Sequence, residues 1–187
     1  MGVLIWVYLF MGLSGFVYVA VWSYVAIAKF GWSEGQIGAS LAFYGVVYVI
    51  CQAVMAPYVL PRIGERRAIW MALALEALAL VGLAFAPSGH FVYFFILFAV
   101  FTGLQDPALM SMMTERVGKD AQGELQGGLS ALGGVILAIA PLMYTQLFFL
   151  FESGAAGVEF AGAPFLVSAG MSLAALMLFL GRKRVAP

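Results

Sequence analysis

Residues 68–85 read AIWMALALEALALVGLAF, an apolar run in which Glu76 is the one ionisable side chain. As an α-helix this run is about 27 Å long, close to the roughly 30 Å thickness of the hydrocarbon core of a bilayer. Runs of similar length occupy most of the remaining chain, and hydrophobic residues make up 64% of its 187 positions. Because a soluble domain of this size cannot bury that much apolar surface, the sequence predicts an integral membrane protein in contact with the lipid bilayer.

Apolar runs alternate with polar connectors and predict six transmembrane helices. The predicted crossings are residues 3–28, 34–60, 68–85, 91–114, 123–151 and 164–180, and a basic tail follows at residues 181–187. β-Barrel strands would instead alternate apolar and polar residues in segments of about 10. Since lipid offers no hydrogen bonds to the backbone, these uniform runs predict an all-α membrane protein, organised as a single six-helix bundle.

The basic residues are distributed unevenly, although the net charge at pH 7 is zero. Most fall in alternate connectors or in the tail, at one end of the predicted bundle: Arg62, Arg66, Arg67, Arg116, Lys119, Arg182, Lys183 and Arg184. Only Lys29 falls at the opposite end. Because cytoplasmic loops of membrane proteins are enriched in Lys and Arg, both termini are predicted to be cytoplasmic.

A weak internal similarity relates residues 33–41 (SEGQIGASL) to residues 121–129 (AQGELQGGL). It predicts two three-helix repeats, and an odd number of crossings in each makes them inverted relative to each other, as in many transporters. The alternative is that small residues recur in any packed membrane helix. Gly123 and Gly127 lie about one turn apart and predict a seam of close helix packing, while Pro141 predicts a local kink in the same helix.

Glu76 is the most informative polar residue because it lies about 12 Å from the start of its predicted helix. A carboxylate at that depth costs at least about 2.5 kcal/mol, so it should face protein or water, be paired, or be protonated. Because hydrocarbon disfavours the charged form, the sequence indicates a proton-exchanging group. A structural hydrogen bond from a permanently protonated acid is the alternative.

Other polar and aromatic residues fall at predicted membrane depth with less specific signals. Asp106 is a second candidate for proton exchange, although it could instead cap a backbone group freed by Pro107. Gln52, with one acceptor and two donors, is a candidate substrate ligand or an interhelical hydrogen-bonding group. Tyr24 and Tyr48 could line a cavity for a flat ligand, with simple packing as the alternative.

Several functional classes find no support in the sequence. It contains no metal-ligand cluster, nucleophile motif, phosphate-binding loop or nucleic-acid-binding motif. Cys51 is the only cysteine, so no internal disulfide is expected. The sequence therefore predicts no cofactor, no metal site, no nucleic-acid partner and no enzymatic activity.

Three groups of short motifs carry a resemblance to a known family. They are FGW at 30–32 with IGASLA at 37–42; QA at 52–53 with RIGERRA at 62–68; and PAL at 107–109 with QGELQG at 122–127 and PL at 141–142. With these motifs the chain resembles the C-terminal half of the major facilitator superfamily, most closely tetracycline/proton antiporters and related drug-efflux proteins. The resemblance implies that the six helices are the second half of a twelve-helix fold.

The resemblance also implies roles for particular residues. Glu76 matches an acidic residue of the ninth helix of the family that is implicated in proton coupling. Gln52 matches a glutamine associated with the substrate cavity. Arg62, Gly64, Arg66 and Arg67 match the second copy of the basic cytoplasmic loop motif of the superfamily. Asp106 has no identified counterpart.

Together these features predict the C-terminal half of a proton-coupled, small-molecule exporter of the bacterial cytoplasmic (inner) membrane. Such antiporters admit protons and substrate alternately at a cavity between two six-helix bundles. The expected partner is therefore a second six-helix half, either another copy of this chain or a separate N-terminal half. The alternatives are a non-transporting membrane partner and a truncated remnant without independent activity.

Overall fold

The computed structural model describes residues 1–181, and within them six helices are long and apolar enough to cross a membrane. In chain order they are α1 (Gly2–Phe30), α2 (Glu34–Ile63), α3 (Glu65–Phe85), α4 (Gly89–Thr114), α5 (Lys119–Glu152) and α6 (Ala163–Gly181). This confirms the all-α, six-helix fold class predicted from the sequence. The predicted basic tail lies, apart from Gly181, outside the described residues.

Short connections join the first five helices in turn. The tightest is between α2 and α3, where Gly64 alone separates the helices and adopts a positive φ of 78°. Glycine suits this position because it has no Cβ to clash in that conformation. At the opposite end, the backbone N–H of Ser33 donates to Gln36 Oε1 at 2.9 Å, which satisfies a free donor at the start of α2.

The centre of the bundle is α3, which packs along α6 and α4, while α6 also packs along α1. The buried positions of α3 include both small and large side chains, and fully buried alanines such as Ala68 and Ala84 permit close helix approach. In its most apolar window 56% of residues are buried, against 17% for α2 and 22% for α5. The outer faces of α2 and α5 are therefore the surfaces left for lipid or a partner.

Three of the helices depart from regular α-helical geometry. α1 is interrupted at Phe16, α2 contains a π-helical turn at Cys51–Met55, and α4 contains a 3-10 segment at Val100–Leu104. The irregular segments of α2 and α4 lie between regular stretches of each helix. They therefore help to determine which side chains face the centre of the bundle.

Pro57 and Pro107 account for the irregular segments of α2 and α4. A helical proline lacks the N–H that would bond the carbonyl four residues earlier, and its ring crowds that carbonyl. The affected carbonyls belong to Ala53 and Gly103, which lie within the two irregular segments. These segments pack together closely, because a Cβ added to Gly103 would lie 3.7 Å from Cys51 Sγ.

Candidate functional site

The carboxyl group of Glu76 lies in the interior of the bundle and is only 1% exposed. Ser14 Oγ, from α1, donates to Glu76 Oε1 at 3.3 Å. Gln105 Nε2, from α4, and Ser172 Oγ, from α6, lie 3.1 Å and 3.2 Å from Oε2. One carboxyl group on α3 is therefore hydrogen-bonded to three other helices.

A second layer of hydrogen bonds surrounds the serines. Ser14 Oγ also lies 3.1 Å from the carbonyl oxygen of Ser168, and Ser168 Oγ donates to the carbonyl oxygen of Ser14 at 2.8 Å. Ser172 Oγ lies 3.0 Å from the carbonyl oxygen of Leu73, one turn before Glu76 on α3. All three serines are 0% exposed, so the partners of these hydroxyls are other groups of the protein.

The sequence analysis did not identify Ser14, Gln105, Ser168 or Ser172. A signal for two of them was present, because Ser168 and Ser172 are four residues apart and therefore share one face of a helix. Serine hydroxyls in membrane helices commonly bond across helix interfaces. Gln105, in turn, immediately precedes the candidate Asp106.

A cavity of about 370 Å³ opens beside this network, within the size range of small-molecule sites. Its polar and aromatic lining consists of Tyr8, Phe16, Tyr18, Tyr44, Tyr48, Glu76, Thr102, Gln105 and Asp106. Within residues 1–181 the lining includes no basic side chain. The cavity therefore combines acidic groups with aromatic surfaces.

Tyrosines form a continuous aromatic wall on one side of the cavity. Tyr18 and Tyr44 stack with ring centroids 5.7 Å apart, and Tyr44 and Tyr48 stack at 5.8 Å. The Tyr18 hydroxyl is buried and has no hydrogen-bond partner among the described residues. Because buried hydroxyls nearly always have partners, this orphan group beside a cavity indicates a position where a bound molecule can complete the site.

The two candidate acids occupy different environments in the same cavity. Glu76 is closed off from solvent by its donors, whereas Asp106 is an exposed residue at the cavity wall. Asp106 follows the 3-10 segment of α4 and precedes Pro107, so the irregular backbone helps to place it there. One acid is thus suited to hold a proton in the interior and the other to meet a ligand or water.

Two predicted substrate residues lie outside this cavity. Tyr24 is 48% exposed, and its ring packs against Phe148 and Phe149 of α5 at centroid distances of 5.8 Å and 5.6 Å. Gln52 is an exposed residue in the π-helical turn of α2, and its side chain is not part of the lining. The structure therefore brings Tyr48, Glu76 and Asp106 together, but not Tyr24 or Gln52.

The residues of the predicted loop motif meet at the turn between α2 and α3. Gly64, Arg66 and Arg67 line a second, shallow pocket there. Arg62 Nη1 donates to the carbonyl oxygen of Tyr58 at 2.8 Å, and the Arg66 guanidinium lies 5.6 Å from the centre of the Phe179 ring. The first contact lies within the last turns of α2, and the second joins the start of α3 to α6.

The predicted packing residues of α5 lie on its open side. Nothing among the described residues comes within 4 Å of a Cβ added to Gly123 or Gly127, so these glycines form no close contact inside the chain. α5 continues through Pro141, where Thr145 Oγ1 donates to the Pro141 carbonyl oxygen at 2.7 Å. The glycine face is therefore free to meet another molecule or lipid.

Comparison with known proteins identifies the family and several relatives. The family model described as Major Facilitator Superfamily matches residues 4–187. The class C tetracycline resistance protein of Escherichia coli is 33% identical over 170 residues, covering 91% of this chain and 42% of that protein. The class G tetracycline resistance protein of Vibrio anguillarum is 33% identical over 148 residues, covering 79% of this chain and 38% of the relative.

A more distant relative is the hippocampus abundant transcript 1 protein of Mus musculus. It is 23% identical over 126 residues, which cover 67% of this chain and 25% of the mouse protein. No solved structure gives a significant match. The chain thus spans less than half the length of the curated relatives it matches.

Proposed function

Since the chain belongs to the Major Facilitator Superfamily, we propose that it forms one half of a proton-coupled exporter of drug-like small molecules. Members of this superfamily are secondary transporters and not enzymes. The resemblance to tetracycline resistance proteins supports a drug-type substrate. The observation that carries the proposal is the fully buried Glu76 carboxyl beside an acidic, aromatic cavity.

Glu76 is the proposed proton-coupling group because its surroundings can accommodate both protonation states. Burial in an apolar bundle opposes the charged form, whereas hydrogen bonds from Ser14, Gln105 and Ser172 support it. Ionisable residues at this depth in a membrane mark ion pathways more often than packing. Asp106, at the cavity wall, is the proposed second acid that meets substrate or exchanges protons with water.

The cavity wall supports a substrate with a flat ring system and polar groups. The stacked rings of Tyr18, Tyr44 and Tyr48 provide apolar faces on which a planar molecule can lie. The unpartnered Tyr18 hydroxyl provides a hydrogen bond to a polar atom of that molecule. Aromatic surfaces with a few convergent polar groups are typical of small-molecule sites.

Glu76→Gln tests the coupling role, because glutamine keeps the size and a hydrogen-bonding end but cannot titrate. In everted membrane vesicles that contain the full chain in an assembly active in tetracycline uptake, we expect energised uptake and substrate-induced proton release to be lost, while the amount of folded protein is unchanged. Glu34→Gln, at the exposed start of α2, is the matched control and should behave as the unsubstituted chain. Normal proton-coupled uptake by Glu76→Gln would contradict the proposed role.

A second six-helix half is the proposed partner, either another copy of this chain or a separate N-terminal half. Two observations support it: relatives are more than twice as long as the matched segment, and the α2 and α5 faces are largely unburied. In a lone bundle the acidic cavity would meet lipid, where each unsatisfied polar group costs several kcal/mol.

Mass measurement of the chain in nanodiscs tests the proposed assembly. A dimer, or a complex with another six-helix protein, is the expected result. A stable monomer that still transports tetracycline in liposomes would overturn the need for a partner. A stable and inactive monomer would instead favour a chain without independent transport activity.

A further inference from the structure

We propose that Ser14 and Ser172 are positioning residues whose rotating hydroxyl groups hold the Glu76 carboxyl in place in both of its protonation states. The inference rests on the proposed proton-coupling role of Glu76. It adds the hydroxyl groups that allow this carboxyl to change protonation state in the buried interior of the bundle. Neither serine is part of the cavity lining. Each acts through the carboxyl group that it contacts.

The geometry that supports this inference is that each hydroxyl lies within reach of the Glu76 carboxyl and of at least one other acceptor. Ser172 Oγ lies 3.2 Å from Glu76 Oε2 and 3.0 Å from the Leu73 carbonyl oxygen. Ser14 Oγ lies 3.3 Å from Glu76 Oε1 and 3.1 Å from both the carbonyl oxygen and the Oγ of Ser168. Because a hydroxyl has a single hydrogen, each serine donates to only one of these acceptors at a time.

When Glu76 is charged, its oxygens are acceptors only. Both hydroxyls then point their hydrogens at the carboxylate, and Gln105 Nε2 supplies a further hydrogen bond to Oε2. The two carbonyl acceptors are not stranded in this state, since Leu73 and Ser168 both lie inside helices whose backbone hydrogen bonds continue. Every polar group of the network therefore has a partner.

When Glu76 is protonated, one of its oxygens becomes a donor. A proton on Oε2 is donated to Ser172 Oγ, and the Ser172 hydrogen turns to the Leu73 carbonyl oxygen. A proton on Oε1 is donated in the same way to Ser14 Oγ, whose hydrogen turns to the Ser168 carbonyl oxygen. The change requires rotation of one hydroxyl, so no heavy atom has to move.

The consequence is that α1, α3 and α6 stay joined through one carboxyl group whether or not it holds a proton. Without the alternative acceptors, arrival of a proton would leave two hydrogens facing each other in a site that is 1% exposed. Either a buried group would lose its partner or the helices would separate. The rotating hydroxyls of Ser14 and Ser172 remove that conflict, one for each carboxyl oxygen.

Other titratable side chains surround the network, and the experiment must separate their signals from that of Glu76. They are Tyr8 and Tyr18 from α1, Tyr44 and Tyr48 from α2, Asp106 from α4, and Tyr144 of α5, whose hydroxyl donates to the Leu13 carbonyl oxygen beside Ser14. α6 contributes none within Ala163–Gly181. Asp106 is the other carboxyl group of the cavity, so its signal must be separated from that of Glu76.

Infrared spectroscopy of the full chain in lipid nanodiscs, recorded across a pH series, tests the inference. Subtracting the Glu76→Gln spectrum isolates the carboxyl bands of Glu76, and Asp106→Asn confirms that they do not come from Asp106. Ser172→Ala and Ser14→Ala are the test variants. Each variant loses a hydrogen bond in both protonation states, but the bond to the carboxylate is the stronger of the two, so at fixed pH the protonated share should rise, with a change of up to about tenfold in the ratio.

Ser168→Ala is the matched control because it removes a buried hydroxyl of the same kind, one turn from Ser172 on the same helix. Its hydroxyl bonds to the carbonyl oxygen and the hydroxyl of Ser14 rather than to Glu76. The substitution keeps the Ser168 carbonyl and the Glu76 carboxyl as the two acceptors for the Ser14 hydroxyl. Thermal unfolding should change by similar amounts in all three variants. Only the two test variants should move the carboxyl band of Glu76 and its pH response.

The outcomes separate this inference from the proposed function. A Glu76 band that responds equally to all three alanine substitutions, or to none of them, overturns the switch role. A Glu76 carboxyl that never changes protonation state in the unsubstituted chain overturns the coupling function itself. A band that titrates in the unsubstituted chain and in Ser168→Ala, but is shifted in Ser14→Ala and Ser172→Ala, supports both.

Discussion

At the scale of the residue, Lys29 shows how a single charge can close the end of a helix. Its ammonium group donates to the carbonyl oxygens of Leu83 at 3.1 Å and Ala84 at 2.5 Å, in the last turn of α3. The last carbonyls of a helix lack the regular N–H partner four residues later, and the C-terminal end of a helix favours positive charge. The Leu83 carbonyl oxygen also accepts from the backbone N–H of Ala86 at 3.4 Å. Lys29 therefore ties the end of α1 to the central helix.

Lys29→Met should destabilise the bundle by about 1–3 kcal/mol, since it keeps the apolar stem but removes hydrogen bonds from a charged donor. Thermal unfolding in mild detergent measures the effect. Lys119→Met is the control, because Lys119 is an exposed residue at the other end of the bundle. Equal stability of the two variants would show that the Lys29 contacts contribute nothing.

At the scale of the element, the approach of α3 to the start of α6 depends on a missing side chain. Gly162 immediately precedes α6, and a Cβ added there would lie 2.8 Å from the Phe160 ring and 3.0 Å from the carbonyl carbon of Ala84. The second of these contacts is with backbone, which cannot turn aside as a side chain can. Small residues allow such approaches in membrane bundles.

Gly162→Ala should therefore force α3 and α6 apart and cost about 1–3 kcal/mol of stability, as overpacking of a close contact usually does. Gly170→Ala is the control within α6, because nothing lies within 4 Å of a Cβ added to Gly170. Its effect should stay within about 1 kcal/mol. Unfolding temperatures of the two variants in the same detergent decide between these outcomes.

At the scale of the whole molecule, the charged ends of the bundle predict its orientation. The turn with Arg62 and Arg67 and the connector with Lys119 lie at one end, whereas His90 lies at the other. We expect the Arg-rich end to face the cytoplasm, because positively charged loops are retained there.

Single cysteines introduced into a Cys51→Ala background test this orientation. In intact cells, an impermeant thiol reagent should label His90→Cys but not Arg67→Cys or Lys119→Cys, and opening the cells should expose the latter two. All three native residues are exposed or at loop positions, so access through the membrane limits the reaction. Labelling of Arg67→Cys in intact cells would reverse the assignment.

The sequence predicts the number of helices and the depth of Glu76 well, because both follow from the length of apolar runs. It does not predict the partners of Glu76. Ser14 and Ser172 belong to helices that are apolar all round, and such helices carry no stripe that shows which face is buried. Their rotation is set by packing between helices, which a single sequence does not contain.

The same reason explains the placement of the other candidates. Tyr48 faces the cavity and Tyr24 does not, although both are tyrosines in apolar helices. The direction of the Gln52 side chain depends on the π-helical turn of α2. This turn is explained by Pro57, which follows it in the helix. Asp106 is easier to place, since Pro107 marks the break in α4 beside it.

The π-helical turn of α2 also has a consequence for how the length of this helix can vary. A π-helical turn holds about one residue more than the α-helical turn it replaces. Loss of one residue from Cys51–Met55 would remove the extra residue of this turn and leave the helix faces on either side in register. Loss of one residue elsewhere, for example Leu75 in α3, would rotate everything after it by about 100°. Deletion of Ala53 should therefore still give an inserted, folded protein, whereas deletion of Leu75 should turn Glu76 away from its serines and abolish folding.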